Sequence, residues 1–244
     1  EDAAVVELAG PPNTFREGAP LATTRFSLQR DTTRPLARMV FDGAEVILRE
    51  GEWSGWVPVR FRLAGPVGQV AGMVRIYLKE VRPHLRLYVS PVNIDPLDEA
   101  LPISTPKGFA GEVARAVGRY ATKGFPEDTK ALSYDVFTDE EYMDQADAVL
   151  AESTAALEHL LSDFDDGLFY YYFSSVDQNS HMLWRAMDVR HPLYDENASP
   201  RVKEALQHYY RAMDGALAQV LKKADDRTLV FVISDHGFAP FYRE

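Results

Sequence analysis

The chain has 244 residues, 46% of them hydrophobic and 26% charged, with 37 acidic against 26 basic side chains and a formal charge of −11 at pH 7. Such a composition builds a folded protein with a sizeable core. Its negative field disfavours nucleic acid as a partner, and no apolar run approaches the roughly 18 residues of a membrane span. Cysteine is absent, which excludes disulfides and thiolate metal sites, so any metal must be held by His and carboxylate.

Residues 1–105 read as β-rich. Short strand candidates at 5–9, 26–30, 37–41 and 44–48 are separated by Pro and Gly signals. Asp42-Gly43 between the last two predicts a two-residue hairpin turn, since both central positions must tolerate positive φ. Val57, Val59, Phe61 and Leu63 alternate with Pro58, Arg60 and Arg62, the pattern of a half-buried strand. Runs 70–81 and 85–89 extend it, with a turn at Pro83-His84, and together these elements predict an antiparallel sheet.

From Thr105 the period changes to that of helices. Thr105 is a candidate cap for a helix with Pro106 at its first position and Ala110, Val113, Ala114 and Val117 on one face. A longer helix is predicted from about Asp139 to Ser162. Residues 168–173 are continuously apolar and aromatic, as in a strand covered on both faces. Ser199 then caps a helix starting at Pro200, and residues 228–233 form a second apolar strand candidate. Strand, helix, strand is a βαβ unit with parallel strands. The expected architecture is therefore α/β, with residues 1–105 as a β-rich antiparallel segment and residues 106–244 as part of a parallel-sheet core.

In open parallel sheets, functional groups gather beyond the carboxyl ends of strands. The first apolar run leads into Ser174-Ser175-Val176-Asp177-Gln178-Asn179-Ser180-His181, and the second into Ser234-Asp235-His236-Gly237-Phe238. Asp177, His181, Asp235 and His236 are thus expected on one rim. Carboxylate and imidazole suit zinc, manganese or iron, and a cation relieves the repulsion of crowded carboxylates. Asp-x-x-x-His alone is a weak signal, but Ser-Asp-His-Gly-Phe after a buried strand is much more specific. Arg185, Gln178 and Asn179 are secondary candidates for touching substrate. A guanidinium grips phosphate bidentately, although a salt bridge from Arg185 to Asp188 explains that residue equally well.

These two motifs resemble the type I phosphodiesterase and nucleotide pyrophosphatase branch of the alkaline phosphatase superfamily, and residues 173–185 resemble a bacterial group of phosphohydrolases or phosphomutases within it. The resemblance implies an alkaline-phosphatase-like core, with residues 1–105 as an insertion or cap. It implies two divalent metals, zinc first and manganese second, with Asp177 and His181 on one and Asp235 and His236 on the other. The substrate would be a small phosphate ester, attacked in line by a Thr or Ser nucleophile. That nucleophile and two further ligands match no motif here, so the chain, which opens with Glu1-Asp2, is expected to be a piece of a longer protein and weakly active or inactive alone. A phosphomutase, or a module that keeps the fold without turnover, are the alternative readings. Residues 1–15 have no signal-peptide pattern, no compartment is indicated, and exposed sheet edges would favour self-association.

Overall fold

The computed structural model describes residues 2–63, 68–240 and 242. The chain divides into two compact units, residues 1–123 and 124–244.

The first unit opens with β1 (Ala3–Pro12), β2 (Leu21–Arg30), β3 (Leu36–Phe41) and β4 (Ala44–Arg49), an antiparallel meander in chain order. β3 and β4 join through Asp42-Gly43 as expected: Phe41 pairs with Ala44, and Gly43 has φ 87°. Next come β5 (Glu52–Trp53), β6 (Val57–Arg62), β7 (Gln69–Val74), β8 (Ile76–Glu80) and β9 (Arg86–Val89). The predicted run 70–81 is broken at Arg75, so that β7 pairs with β6 while β8 sits between β5 and β9. The alternation in β6 holds, with Val57, Val59 and Phe61 buried and the residues between them exposed. Phe26, Met39, Phe61, Ile76 and Leu78 form the centre of the core, where Phe26 stacks on Phe41 at 4.4 Å between ring centroids.

The unit closes with α1 (Phe109–Val117), which buries Ala110, Val113 and Ala114. It starts later than the sequence suggests. The Thr105–Pro106 peptide is cis, and Gly108, at φ 89°, turns the chain into the helix. Arg119 donates two hydrogen bonds of 3.0 Å to the buried Asp95, and Tyr120 reaches the Ala110 carbonyl, so the helix belongs to this unit.

The second unit has helices as its regular structure. They are α2 (Thr129–Ser133), α3 (Asp139–Asp163), α4 (Ser175–Met187), α5 (Pro200–Lys203) and α6 (Ala205–Lys223). Thr138 and Glu141 close a reciprocal capping box on α3, and Ser199 caps α5, where Pro200 takes the first position. Glu204 interrupts the predicted third helix between α5 and α6. Tyr142, Met143, Leu157, Leu183, Leu206 and Tyr209 are buried where these helices meet.

Helices and antiparallel sheets together give the expected α/β composition. The two runs assigned to parallel strands differ from expectation, because among the described residues neither 168–173 nor 228–233 pairs with any strand. In 168–173 burial still alternates: Phe169, Tyr171 and Phe173 are partly covered, whereas Leu168, Tyr170 and Tyr172 are exposed. The Tyr171 hydroxyl donates to the Ser153 carbonyl of α3, which anchors the covered face. In 228–233 the residues are exposed throughout. A backbone run without a neighbouring strand has no ladder to join, whatever its side chains favour.

Candidate metal centre

α4 presents the first half of the site. Its sequence places Asp177 and His181 four residues apart, hence on one helical face. His181 Nε2 lies 3.5 Å from Asp177 Oδ1. The other carboxylate oxygen, Oδ2, accepts a 3.1 Å hydrogen bond from Gln178 Nε2. Gln178 thereby fixes the rotation of the Asp177 carboxylate and leaves Oδ1 for another partner.

The second half lies in the Ser234-Asp235-His236-Gly237 segment, outside regular secondary structure. Ser234 Oγ donates to the His236 carbonyl, and His236 Nδ1 is 2.9 Å from the Gly237 carbonyl. A carbonyl can only accept, so Nδ1 carries the proton and Nε2 keeps its lone pair when the ring is neutral. His236 Nε2 is 3.5 Å from Asp235 Oδ2 and 3.8 Å from Asp177 Oδ1. The bond to the Gly237 carbonyl, then the charges of Asp235 and Asp177, hold this imidazole above the ordinary histidine value.

The four residues singled out from sequence are therefore brought together, with Asp177 Oδ1 between two imidazole nitrogens. Neighbouring donors on a tetrahedral zinc ion with bonds of about 2.0–2.1 Å stand about 3.3–3.4 Å apart. The separations of 3.5, 3.8 and 3.5 Å are close to that edge length. The donors form a chain of adjacent pairs rather than a closed shell. Among the described residues, no three His, Asp or Glu side chains converge as a group that could hold a metal ion.

Three neighbours make contacts with this site that the sequence did not assign to them. Phe238 meets the His181 ring edge-to-face at 5.1 Å and lies 5.0 Å from the Trp184 ring, packing the imidazole from one side. Partial desolvation first, then the charges of Asp177 and Asp235, pushes the phenol of the largely exposed Tyr172 up. Glu127 is only 1% exposed, and its carboxylate oxygens take the hydroxyls of Ser174 and Ser175 at the start of α4. Burial pushes it above the ordinary carboxylate value. Position in the sequence gives no hint of these contacts, since each depends on how separate segments of the unit pack.

The secondary candidates divide. Gln178 is buried and bonded to Asp177, as just described. Asn179 is fully buried, with its amide nitrogen 2.7 Å from the Ser175 carbonyl inside α4. Arg185 is engaged in a short ion pair with Asp139 of α3, not with Asp188. Asp188 instead pairs with Arg190 and accepts from the Tyr242 hydroxyl, contacts that hold it far below the usual carboxylate range.

Against known proteins, a model of the family described as type I phosphodiesterase / nucleotide pyrophosphatase matches residues 90–244, more than half of the chain and all of its second unit. No curated protein and no solved structure matches.

Proposed function

The chain belongs to the type I phosphodiesterase / nucleotide pyrophosphatase family, within the alkaline phosphatase superfamily of phosphoester hydrolases, and from that premise we propose that it carries the metal-binding half of a phosphodiesterase site. Asp177 and His181 would hold one divalent cation and Asp235 and His236 a second, zinc before manganese. The observation that carries this reading is the convergence of two motifs, 54 positions apart by the difference of 235 and 181, on a single carboxylate oxygen, Asp177 Oδ1.

When bound, the two cations would polarise a phosphoryl group, activate a hydroxyl nucleophile and neutralise charge on the leaving oxygen. The residues of the chain supply the ligand geometry. Gln178 holds the rotation of Asp177, the Gly237 carbonyl sets the tautomer of His236, and Phe238 packs the His181 ring. Of the hydroxyls near these residues, those of Ser174 and Ser175 are engaged with Glu127 and that of Ser234 with the His236 carbonyl. In this reading a Thr or Ser outside these 244 residues serves as nucleophile, as the family resemblance implies, and the chain alone is weakly active or inactive. Arg185, tied to Asp139, reaches a phosphate only by exchanging that partner.

Zinc-dependent binding of inorganic phosphate, followed by titration calorimetry on the chain, tests the reading. Phosphate is expected to bind the zinc-loaded protein and to lose that binding in Asp177→Asn. Phosphate that binds equally well without zinc, or that ignores the zinc-loaded protein, contradicts it.

A further inference from the structure

We propose that Glu127 is a positioning residue, whose buried carboxyl group anchors the start of α4 and so sets where Asp177 stands. Burying a carboxyl group is unfavourable unless its oxygens are satisfied. Glu127 is 1% exposed, and the structure records no cationic side chain as its partner among the described residues. Beyond its own backbone N–H, its partners are two hydroxyls. Ser174 Oγ lies 3.4 Å from one carboxylate oxygen, and Ser175 Oγ lies 3.4 Å from the other.

Ser174 is the cap residue of α4, yet its side chain makes no capping hydrogen bond to the helix. Serine at that position ordinarily accepts from a backbone N–H of the first turn. Here the hydroxyl is turned toward Glu127, which places a carboxyl group at the positive end of the helix. Ser175, 1% exposed, makes the second attachment, and Asp177 follows two residues later.

Glu127 is itself fixed from behind. Asp128 caps α2 by accepting from Ala131 N, and Asp128 N donates to Gln145 Oε1 of α3 at 2.8 Å. The connection thus runs from α3 through Asp128 and Glu127 to the first turn of α4. Arranged this way, the motif residue Asp177 is referred to the helical core and not only to its own helix.

The experiment compares wild type, Glu127→Ala, Glu127→Gln and the double substitution Ser174→Ala, Ser175→Ala by amide hydrogen exchange and by titration with zinc alone. The exchange readout does not require a metal; the zinc readout rests on the metal reading above. Glu127→Ala and the serine double variant are each expected to speed exchange at residues 175–178 about tenfold while leaving α6 unchanged. Both should weaken zinc binding, and Glu127→Gln, which keeps an acceptor oxygen, should restore most of each effect. Should Glu127→Ala fail to fold, the serine variant carries the same comparison. Exchange at 175–178 that stays at the wild-type rate in the serine variant, or rises equally along α3, α4 and α6, overturns the inference. Faster exchange confined to the first turn, in a protein that binds no zinc at all, upholds the anchor and removes the metal reading instead.

Discussion

Asp177 is the residue on which the site turns, because one of its oxygens faces two imidazoles and the other is held by Gln178. Outer partners of metal ligands typically account for about 10–100-fold in affinity. Gln178→Ala is accordingly expected to weaken zinc binding by about tenfold or more, read by competition with a chelating dye; unchanged affinity would remove Gln178 from the site. At Glu127 the expectation concerns pH. Burial raises its carboxyl above the ordinary value of 4.5, so between the unfolded and folded values the native state binds more protons than the unfolded one. Its contribution is therefore favourable below about 4.5 and is lost as pH rises toward the folded value. Urea midpoints of Glu127→Gln and wild type should diverge across that window, with the variant gaining relative to wild type as pH rises. The four residues that the structure brings together were readable because each motif is a contiguous string. The Gln178, Phe238 and Glu127 contacts were not, because nothing local in the sequence says which hydroxyl, ring or carboxylate will lie alongside.

At the scale of elements, local chemistry was legible at several turns and caps but not at Thr105, since the helix expected there begins only at Phe109. The Asp42-Gly43 turn, the alternation of β6 and the Ser199 cap formed as their residues dictate, and α3 carries a Thr138 cap not singled out from sequence. Thr138→Ala should lower stability by about 1 kcal/mol in urea unfolding, with Thr138→Ser restoring it. Close packing was less legible. A Cβ added at Gly10 of β1 would stand 2.3 Å from the Phe61 ring, and that ring is fully buried. Gly10→Ala is expected to destabilise by about 1–3 kcal/mol, whereas Gly10→Ala combined with Phe61→Leu should recover part of the loss. α4 escaped notice because its polar first turn, Ser-Val-Asp-Gln-Asn-Ser, reads as a loop after an apolar run. The runs 168–173 and 228–233 carry the composition of buried strands, but strand formation requires a partner that residue preference cannot supply.

Considered whole, the molecule combines a net charge of −11 with apolar side chains held in solvent. Leu168 is 91% exposed, Leu229 83%, Phe231 78%, Val232 77% and Ile233 75%. Contiguous exposure of this kind promotes association, and the shared negative charge opposes it. Self-association is therefore expected to grow with protein concentration and with salt, which screens the repulsion, and to fall in Leu229→Asp, Phe231→Asp; sedimentation velocity at two ionic strengths reads both effects. None of the helices is long and apolar enough to cross a membrane among the described residues. The proposed function requires that Asp177 and His181 hold one cation and Asp235 and His236 a second. Its most direct test is elemental analysis of the chain after incubation with zinc and removal of free metal, beside Asp235→Ala, His236→Ala. Stoichiometric zinc in the wild type that falls in the variant is the predicted result. Equal zinc in both proteins, or none in either, would contradict it.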